Sequence, residues 1–75
     1  MKKQYITSDP DIMGGQPVIK GTRILISRIL YLLKQGYTVE AIHEGYPHVD
    51  IAVLNGAIEE VIETITTVLH AKRVS

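Results

Sequence analysis

A glycine-rich stretch, GGQPVIKGTR at residues 14–23, is the part of the chain whose composition most suggests chemistry. Backbone amides cradle a phosphate when such a stretch joins a strand to a helix in the order G-x-x-x-x-G-K-[ST]. Here residues 20–22 read Lys-Gly-Thr, so the lysine precedes the glycine, and Pro17 removes one backbone donor. The order therefore favours a tight hairpin over a nucleotide site. Arg23 either forms a salt bridge with a residue such as Asp9 or clamps a phosphate or carboxylate.

The other residues capable of catalysis lack the partners that catalysis requires. The three histidines form no H-x-x-x-H or H-E-x-x-H pair and the chain has no cysteine, so we expect no metal site. No serine has a base and an orienting acid in a recognised arrangement. Glu59, Glu60 and Glu63 predict a solvated helix face rather than an acid–base pair. We therefore expect no catalytic residue, no cofactor and no enzymatic activity.

A β-rich arm over residues 1–26 carries the glycine-rich stretch. SDPD is a turn signal, and the runs PVI and TRILI are β-branched and joined by Lys-Gly. A connection of this type predicts a two-residue hairpin turn with Gly21 at positive φ. Proline has no N–H and belongs at a strand start or on an edge. We expect this edge to add strands to a partner or a second copy, through Pro17, Val18 and Ile19.

Residues 27–75 are predicted to form three helices. Each follows a residue whose side chain can cap the first turn, namely Ser27, Thr38 and Asp50. Gly36 ends the first helix, and the run GYP ends the second. The expected fold is mostly α: a short N-terminal β-hairpin arm, then a trihelical, homeodomain-like helix-turn-helix core with an extended C-terminal helix, all in one domain.

The third predicted helix has a heptad seam, in which apolar residues recur at alternating steps of three and four. Its C-terminal half is expected to extend past the other two helices and to expose apolar surface. We therefore expect a homodimer, with interface residues Ile58, Val61, Ile65 and Val68. Gly56 costs about 1 kcal/mol in a helix interior, which predicts close packing at that point.

The charges balance at eight basic and eight acidic residues, so net charge gives no drive towards nucleic acid. Positive charge is concentrated in the first half, and the third helix has no lysine or arginine before Lys72. Candidate DNA contacts are therefore Lys20, Arg23 and Arg28, with Lys2 and Lys3 as further candidates, and Asn55 as a reader of adenine. The sequence contains no apolar run of 18 residues and no signal-peptide core, so we expect a cytoplasmic protein away from the membrane.

Residues 5–58 resemble a bacterial and archaeal family known as domain of unknown function 433. The resemblance rests on Asp-Pro at 9–10, the string GG.PVI.GTR, Gly36, a Val-Glu-x-Ile helix and Tyr-Pro at 46–47. Members look like small helix-turn-helix proteins with an N-terminal β segment. Some are regarded as VapB-like antitoxins that neutralise a neighbouring ribonuclease toxin. The resemblance implies a toxin–antitoxin role and promoter binding.

The leading hypothesis is a cytoplasmic, dimeric, antitoxin-like protein that binds a ribonuclease toxin and its own promoter DNA. The alternative is a homodimeric protein-interaction module that does not bind nucleic acid. The acidic third helix favours the alternative, whereas the basic N-terminal half favours DNA binding.

Overall fold

The computed structural model describes residues 4–73, a mostly helical chain with a small antiparallel sheet near its N-terminus. The elements are β1 (Ile6–Thr7), a 3-10 turn (Met13–Gly15), β2 (Val18–Ile19), α1 (Ile26–Lys34), α2 (Val39–Gly45) and α3 (Ile51–Arg73). The three predicted helices are thus confirmed. Lys2 and Lys3, proposed above as DNA contacts, lie outside the described residues.

The sheet pairs β2 with β1, and not chiefly with the run that follows β2. Ile6 lies opposite Ile19 and Thr7 opposite Val18. On the other side of β2, one isolated bridge joins Val18 to Leu25. The predicted hairpin is therefore wrong as a pair of strands, because the backbone enters α1 at Ile26. Its turn is correct, since Gly21 has φ 81° and the N–H of Thr22 donates to the carbonyl of Ile19 at 2.9 Å.

The helix boundaries follow the predicted signals in two of three cases. Thr38 caps α2, its hydroxyl oxygen accepting the N–H of Ala41 at 3.1 Å. Helix α3 begins directly after Asp50. The cap predicted for α1 is wrong, because the helix begins at Ile26 and takes in Ser27. The reason is burial: Ile26 is a core residue, and its N–H donates to the carbonyl of Pro17 at 3.0 Å.

The core lies where the three helices meet the sheet. It is entirely aliphatic and comprises Ile19, Ile26, Ile29, Ile42, Val49, Leu54 and Ala57. These side chains come from β2 and from all three helices, except that Val49 lies in the turn before α3. Tyr5 and Ile6 pack against the core from the N-terminal side. Tyr5 and the first strand therefore cover part of the core.

Helix α3 has a packed half and a projecting half. The seam residues Leu54, Ile58 and Val61 contact the core. Beyond Val61 and as far as residue 70, where the described side chains end, the helix carries four exposed large apolar side chains, each 49–57% exposed: Ile62, Ile65, Val68 and Leu69. The expectation that the C-terminal half extends past the other helices is confirmed.

Candidate interaction site on the third helix

An open groove runs between the start of the described chain and α3. Its walls are formed by Gln4, Tyr5, Lys20, Ala52, Asn55, Gly56, Glu59, Glu60, Glu63 and Thr64. Seven of these residues lie on α3 at steps of three and four, so they share one face of that helix. The opposite wall comes from the chain just before β1 and the residue just after β2.

Tyr5 holds the two walls of this groove together. Its backbone N–H donates to Oε1 of Glu60 at 2.7 Å, and its carbonyl accepts the N–H of Lys20 at 2.8 Å. Its ring lies on Gly56, where a Cβ atom would come 2.6 Å from Cζ of the tyrosine. The close packing predicted at Gly56 is confirmed. One residue thus fixes the positions of Lys20 and Glu60 relative to each other.

The groove is acidic. Among residues 4–70, the charged side chains that line it are three carboxylates, from Glu59, Glu60 and Glu63, and one lysine ammonium, from Lys20. Glu60 is half-buried and engaged by Tyr5, whereas the side chains of Glu59 and Glu63 are exposed. Like charges gathered on one helix face attract cations and cationic surfaces and repel phosphate. The groove therefore suits a basic partner.

Two of the four predicted DNA contacts line the groove and the other two do not. Lys20 and Asn55 both line it, beside the three glutamates. Arg23 is exposed in the loop before α1, and Arg28 is exposed in the first turns of that helix, with its guanidinium carbon 5.8 Å from the ring centre of Tyr31. Asp9, the acid considered as a partner for Arg23, accepts the N–H of Asp11 within its own turn at 2.9 Å.

The predicted interface residues divide into buried and exposed sets. Val18 and Ile19 are 0% and 1% exposed, so their expected role at a partner-binding edge is corrected: β2 is covered by β1 and by the bridge to Leu25. Pro17 is exposed. Ile58 and Val61 pack on the chain's own core, and Ile65 and Val68 are exposed.

Within residues 4–70 the histidines and acids do not gather into a group able to hold a metal ion. His43, on α2, is half-buried, and its Nδ1 atom is buried with no hydrogen-bond partner among the described residues. Tyr46 and His48 form an edge-to-face pair, with ring centres 6.5 Å apart, in the turn between α2 and α3.

Sequence reasoning missed the part of Tyr5 in the groove and the exposure of two further tyrosines. Tyr31 and Tyr37 are 52% and 53% exposed and line a shallow hollow at the end of α1. The signal for Tyr5 was present in Gly56, since a glycine inside a helix predicts a large side chain close to the backbone. Nothing in the sequence pointed to tyrosine as that neighbour.

Comparisons with known proteins add a family and one relative. A family model described as "Protein of unknown function (DUF433)" matches residues 6–60. An uncharacterized protein, y4eO of Sinorhizobium fredii, is 38% identical over 48 residues. That segment covers 64% of this chain and 22% of the relative, so the chain spans only about a fifth of that protein's length. No solved structure matches the chain.

The family match and the packing of α3 end at nearly the same place. The match stops at residue 60, and the last seam residue in contact with the core is Val61. No helix in the described range 4–73 has the length and apolarity needed to cross a membrane. The groove lies within the shared segment, apart from Gln4, Tyr5, Glu63 and Thr64, and the exposed apolar residues of α3 lie beyond it.

Proposed function

Since the chain belongs to the DUF433 family of proteins of unknown function, we propose that it is a non-catalytic, VapB-like antitoxin that binds a ribonuclease toxin encoded beside it and acts in the cytoplasm. The resemblance of its glycine-rich string to antitoxin-like relatives supplies the class of partner. The single observation that carries the proposal is the acidic groove along α3, with Glu59, Glu60 and Glu63 on one wall.

A ribonuclease must present a cationic surface to its polyanionic substrate. An acidic groove is complementary to such a surface, and complementary charge speeds association and selects the partner. A protein bound there would cover the surface on which RNA has to lie. The antitoxin would then inhibit the ribonuclease by covering its RNA-binding surface, without any catalytic group of its own.

The test is a charge reversal in the groove, with a control of equal net charge. Glu59→Lys combined with Glu63→Lys changes the two exposed glutamates of the groove, whereas Glu40→Lys combined with Glu44→Lys changes two exposed glutamates of α2 outside it. We expect the groove variant to bind the neighbouring gene product at least about tenfold more weakly at low salt, with a flatter salt dependence. The α2 variant should bind almost as the native chain does. Equal binding by both variants, measured by titration calorimetry, would refute the proposal.

Binding to promoter DNA is the second proposed activity, through a homeodomain-like helix-turn-helix formed by α2, residues 46–50 and α3. Its support is that Arg23 and Arg28 are exposed outside the acidic groove, where they can contact phosphate. Asn55 is exposed on α3 and can pair with an adenine edge. Lys20 and Asn55 are the weaker of the four candidates, because both line the groove together with its three carboxylates, which repel phosphate. A gel shift with the gene's own upstream DNA separates this activity from a module that binds only protein.

A further inference from the structure

The hollow at the C-terminal end of α1 is lined by two half-exposed tyrosine side chains. Tyr31 and Tyr37 form it together with Gln35 and Gly36, and no charged side chain among residues 4–70 lines it. The two tyrosines are 52% and 53% exposed. We call this feature the tyrosine hollow. It shares no lining residue with the acidic groove on α3, so the two are separate surfaces.

The backbone holds the two tyrosines at one place. Helix α1 ends in a turn in which Gly36 has φ 96°, a conformation that glycine adopts without strain. The N–H of Gly36 donates to the carbonyl of Leu33 at 3.0 Å, and the N–H of Tyr37 donates to the carbonyl of Leu32 at 3.1 Å. This pair of bonds is the Schellman arrangement, which turns the chain back at a helix end. Tyr37 is therefore held next to the end of the helix that carries Tyr31 before any ligand binds.

Positive charge borders the tyrosine hollow. The guanidinium carbon of Arg28 lies 5.8 Å from the ring centre of Tyr31, within the range of a cation–π contact. Lys34 is exposed in the last turn of the same helix. Residues 21–39, all of them described, contain three basic residues and no acidic one. Glu40, the first acid after this segment, does not line the hollow. The surface around the hollow therefore attracts anions.

We propose that the tyrosine hollow binds the unpaired bases of a single-stranded nucleic acid. Bases stack on exposed aromatic rings whatever their sequence, because every base has a π face. The phosphates that join them require cations at the border of the aromatic surface, which Arg28 and Lys34 supply. The exposed amide of Gln35 can donate to and accept from a base edge. An acidic peptide would use the cations and leave the rings without a role, so the combination favours a nucleic acid.

This proposal goes beyond the proposed function and does not depend on it. A toxin bound in the groove on α3 would not touch the tyrosine hollow. Promoter DNA is a duplex whose bases are paired and stacked on one another, so they are not available to the tyrosine rings. Arg28 is a candidate phosphate contact in both nucleic-acid proposals, and the decisive variants therefore change the tyrosines.

The first experiment measures binding of a fluorescein-labelled oligothymidylate of about 12 nucleotides, a length that single-strand surfaces cover, by fluorescence anisotropy. It compares the native chain with Tyr31→Leu/Tyr37→Leu, which lacks both rings, and with Tyr31→Phe/Tyr37→Phe, which keeps them. We expect the leucine variant to bind at least about tenfold more weakly and the phenylalanine variant to bind within about twofold of the native chain. Circular dichroism checks that both variants keep their helices. No binding by the native chain at about 100 µM, the weak end of non-specific binding, or equal binding by the two variants overturns the proposal.

Two further readouts separate stacking from charge. The slope of log K against log salt should be unchanged in the leucine variant and shallower by about 0.7 in Lys34→Gln, because one phosphate contact to a single strand is lost. Since the chain has no tryptophan, its emission comes from tyrosine, and stacking of bases should quench that emission when the oligonucleotide binds. The leucine variant should show no such quenching. The same quenching in the leucine variant would place the bases elsewhere and overturn the proposal.

The last comparison identifies the source of the single strand and separates it from promoter DNA. An oligouridylate of the same length replaces the oligothymidylate. Tighter binding of either one identifies RNA or DNA as the ligand, and equal binding supports the chemistry that they share. Duplex DNA from upstream of the gene should bind the leucine variant as it binds the native chain. If the leucine variant loses duplex and single-strand binding equally, the tyrosines belong to a duplex-binding surface and the proposal is overturned.

Discussion

The ring of Tyr5 packs directly on the backbone of Gly56. These two residues are far apart in the sequence and adjacent in the fold. A Cβ atom on Gly56 would lie 2.6 Å from Cζ of Tyr5, well inside van der Waals contact. The same tyrosine donates its backbone N–H to Glu60, one turn further along α3. The N-terminal segment is therefore attached to α3 by shape at Gly56 and by a hydrogen bond at Glu60.

Gly56→Ala should destabilise the protein although alanine is the better helix former. Alanine in place of glycine contributes about 1 kcal/mol of helix propensity, but the added methyl group must displace the Tyr5 ring, at a cost of about 1–3 kcal/mol. We expect a net decrease of about 1 kcal/mol in the free energy of unfolding, measured by urea denaturation. Gly45→Ala, at the end of α2 with no atom within 4 Å of the added Cβ, is the control and should not be destabilising. When Gly56→Ala is introduced into the Tyr5→Ala variant, it should no longer decrease the free energy of unfolding relative to Tyr5→Ala alone. A decrease that persists would show that the ring is not its cause.

Glu60→Ala should weaken the attachment of the N-terminal segment to α3. The 2.7 Å bond from the N–H of Tyr5 to the Glu60 carboxylate is part-buried and charge-assisted, and bonds of this kind contribute about 1.5–3 kcal/mol. Because Glu60 is only half-buried, we expect a loss of about 1 kcal/mol, together with faster hydrogen exchange at the Tyr5 amide. Glu59→Ala is the neighbouring control, exposed, and should change stability by less than about 0.5 kcal/mol. Equal protection of the Tyr5 amide in E60A and E59A would contradict the expected result.

Leu54→Ala should greatly decrease the free energy of unfolding. Leu54 is completely buried in the centre of the core, and truncation of such a leucine costs about 2–5 kcal/mol. The same change at Leu30, which is 37% exposed on α1, removes far less buried surface. Thermal denaturation should show a large decrease in melting temperature for L54A and a small one for L30A. Similar decreases in both would mean that the described core is not the stabilising one.

Arg23→Ala combined with Arg28→Ala tests DNA binding. If these exposed arginines contact phosphate, the double variant should bind upstream DNA more weakly, and the slope of log K against log salt should become shallower by about 2. Glu59→Ala serves as the opposite control, since removal of a carboxylate near Lys20 should leave binding unchanged or strengthen it. Unchanged affinity and slope in the arginine variant, measured by fluorescence anisotropy at several salt concentrations, would exclude this surface.

Local signals predicted the helices well and the strands poorly. The Thr38 cap, the stop at Gly36 with its φ of 96°, and the heptad seam of α3 all depend on residues close in sequence, and all are present. The pairing of β2 was predicted with the nearer β-prone run, whereas the structure pairs it with β1. Burial of Ile26 turns the nearer run into a helix start. That competition is tertiary and cannot be read from propensity.

The candidate site shows the same division. Glu59, Glu60 and Glu63 were predicted to form a solvated helix face. Periodicity determines the shared face, but Glu60 is half-buried and accepts the N–H of Tyr5, so the prediction that it is solvated is wrong. That this face forms one wall of a groove, with Tyr5 and Lys20 on the other, depends on where β1 docks. Val18 and Ile19 were expected on a free edge for the same reason, because the covering strand lies a dozen residues away and carries no signal of its partner.

The bond between Tyr5 and Glu60 joins residues separated by 55 positions, and this separation has a consequence for synthesis of the chain. Closing a loop of that length costs roughly 3.5 kcal/mol of chain entropy by the logarithmic rule, so the contact cannot form early by chance encounter. At a ribosome, Tyr5 leaves the exit tunnel several seconds before Glu60 is available at typical translation rates. Strands β1 and β2 can pair during that interval, but the ring of Tyr5 has no helix to rest on. The segment around Tyr5, although made before α3, is thus among the last parts of this fold to reach its final place.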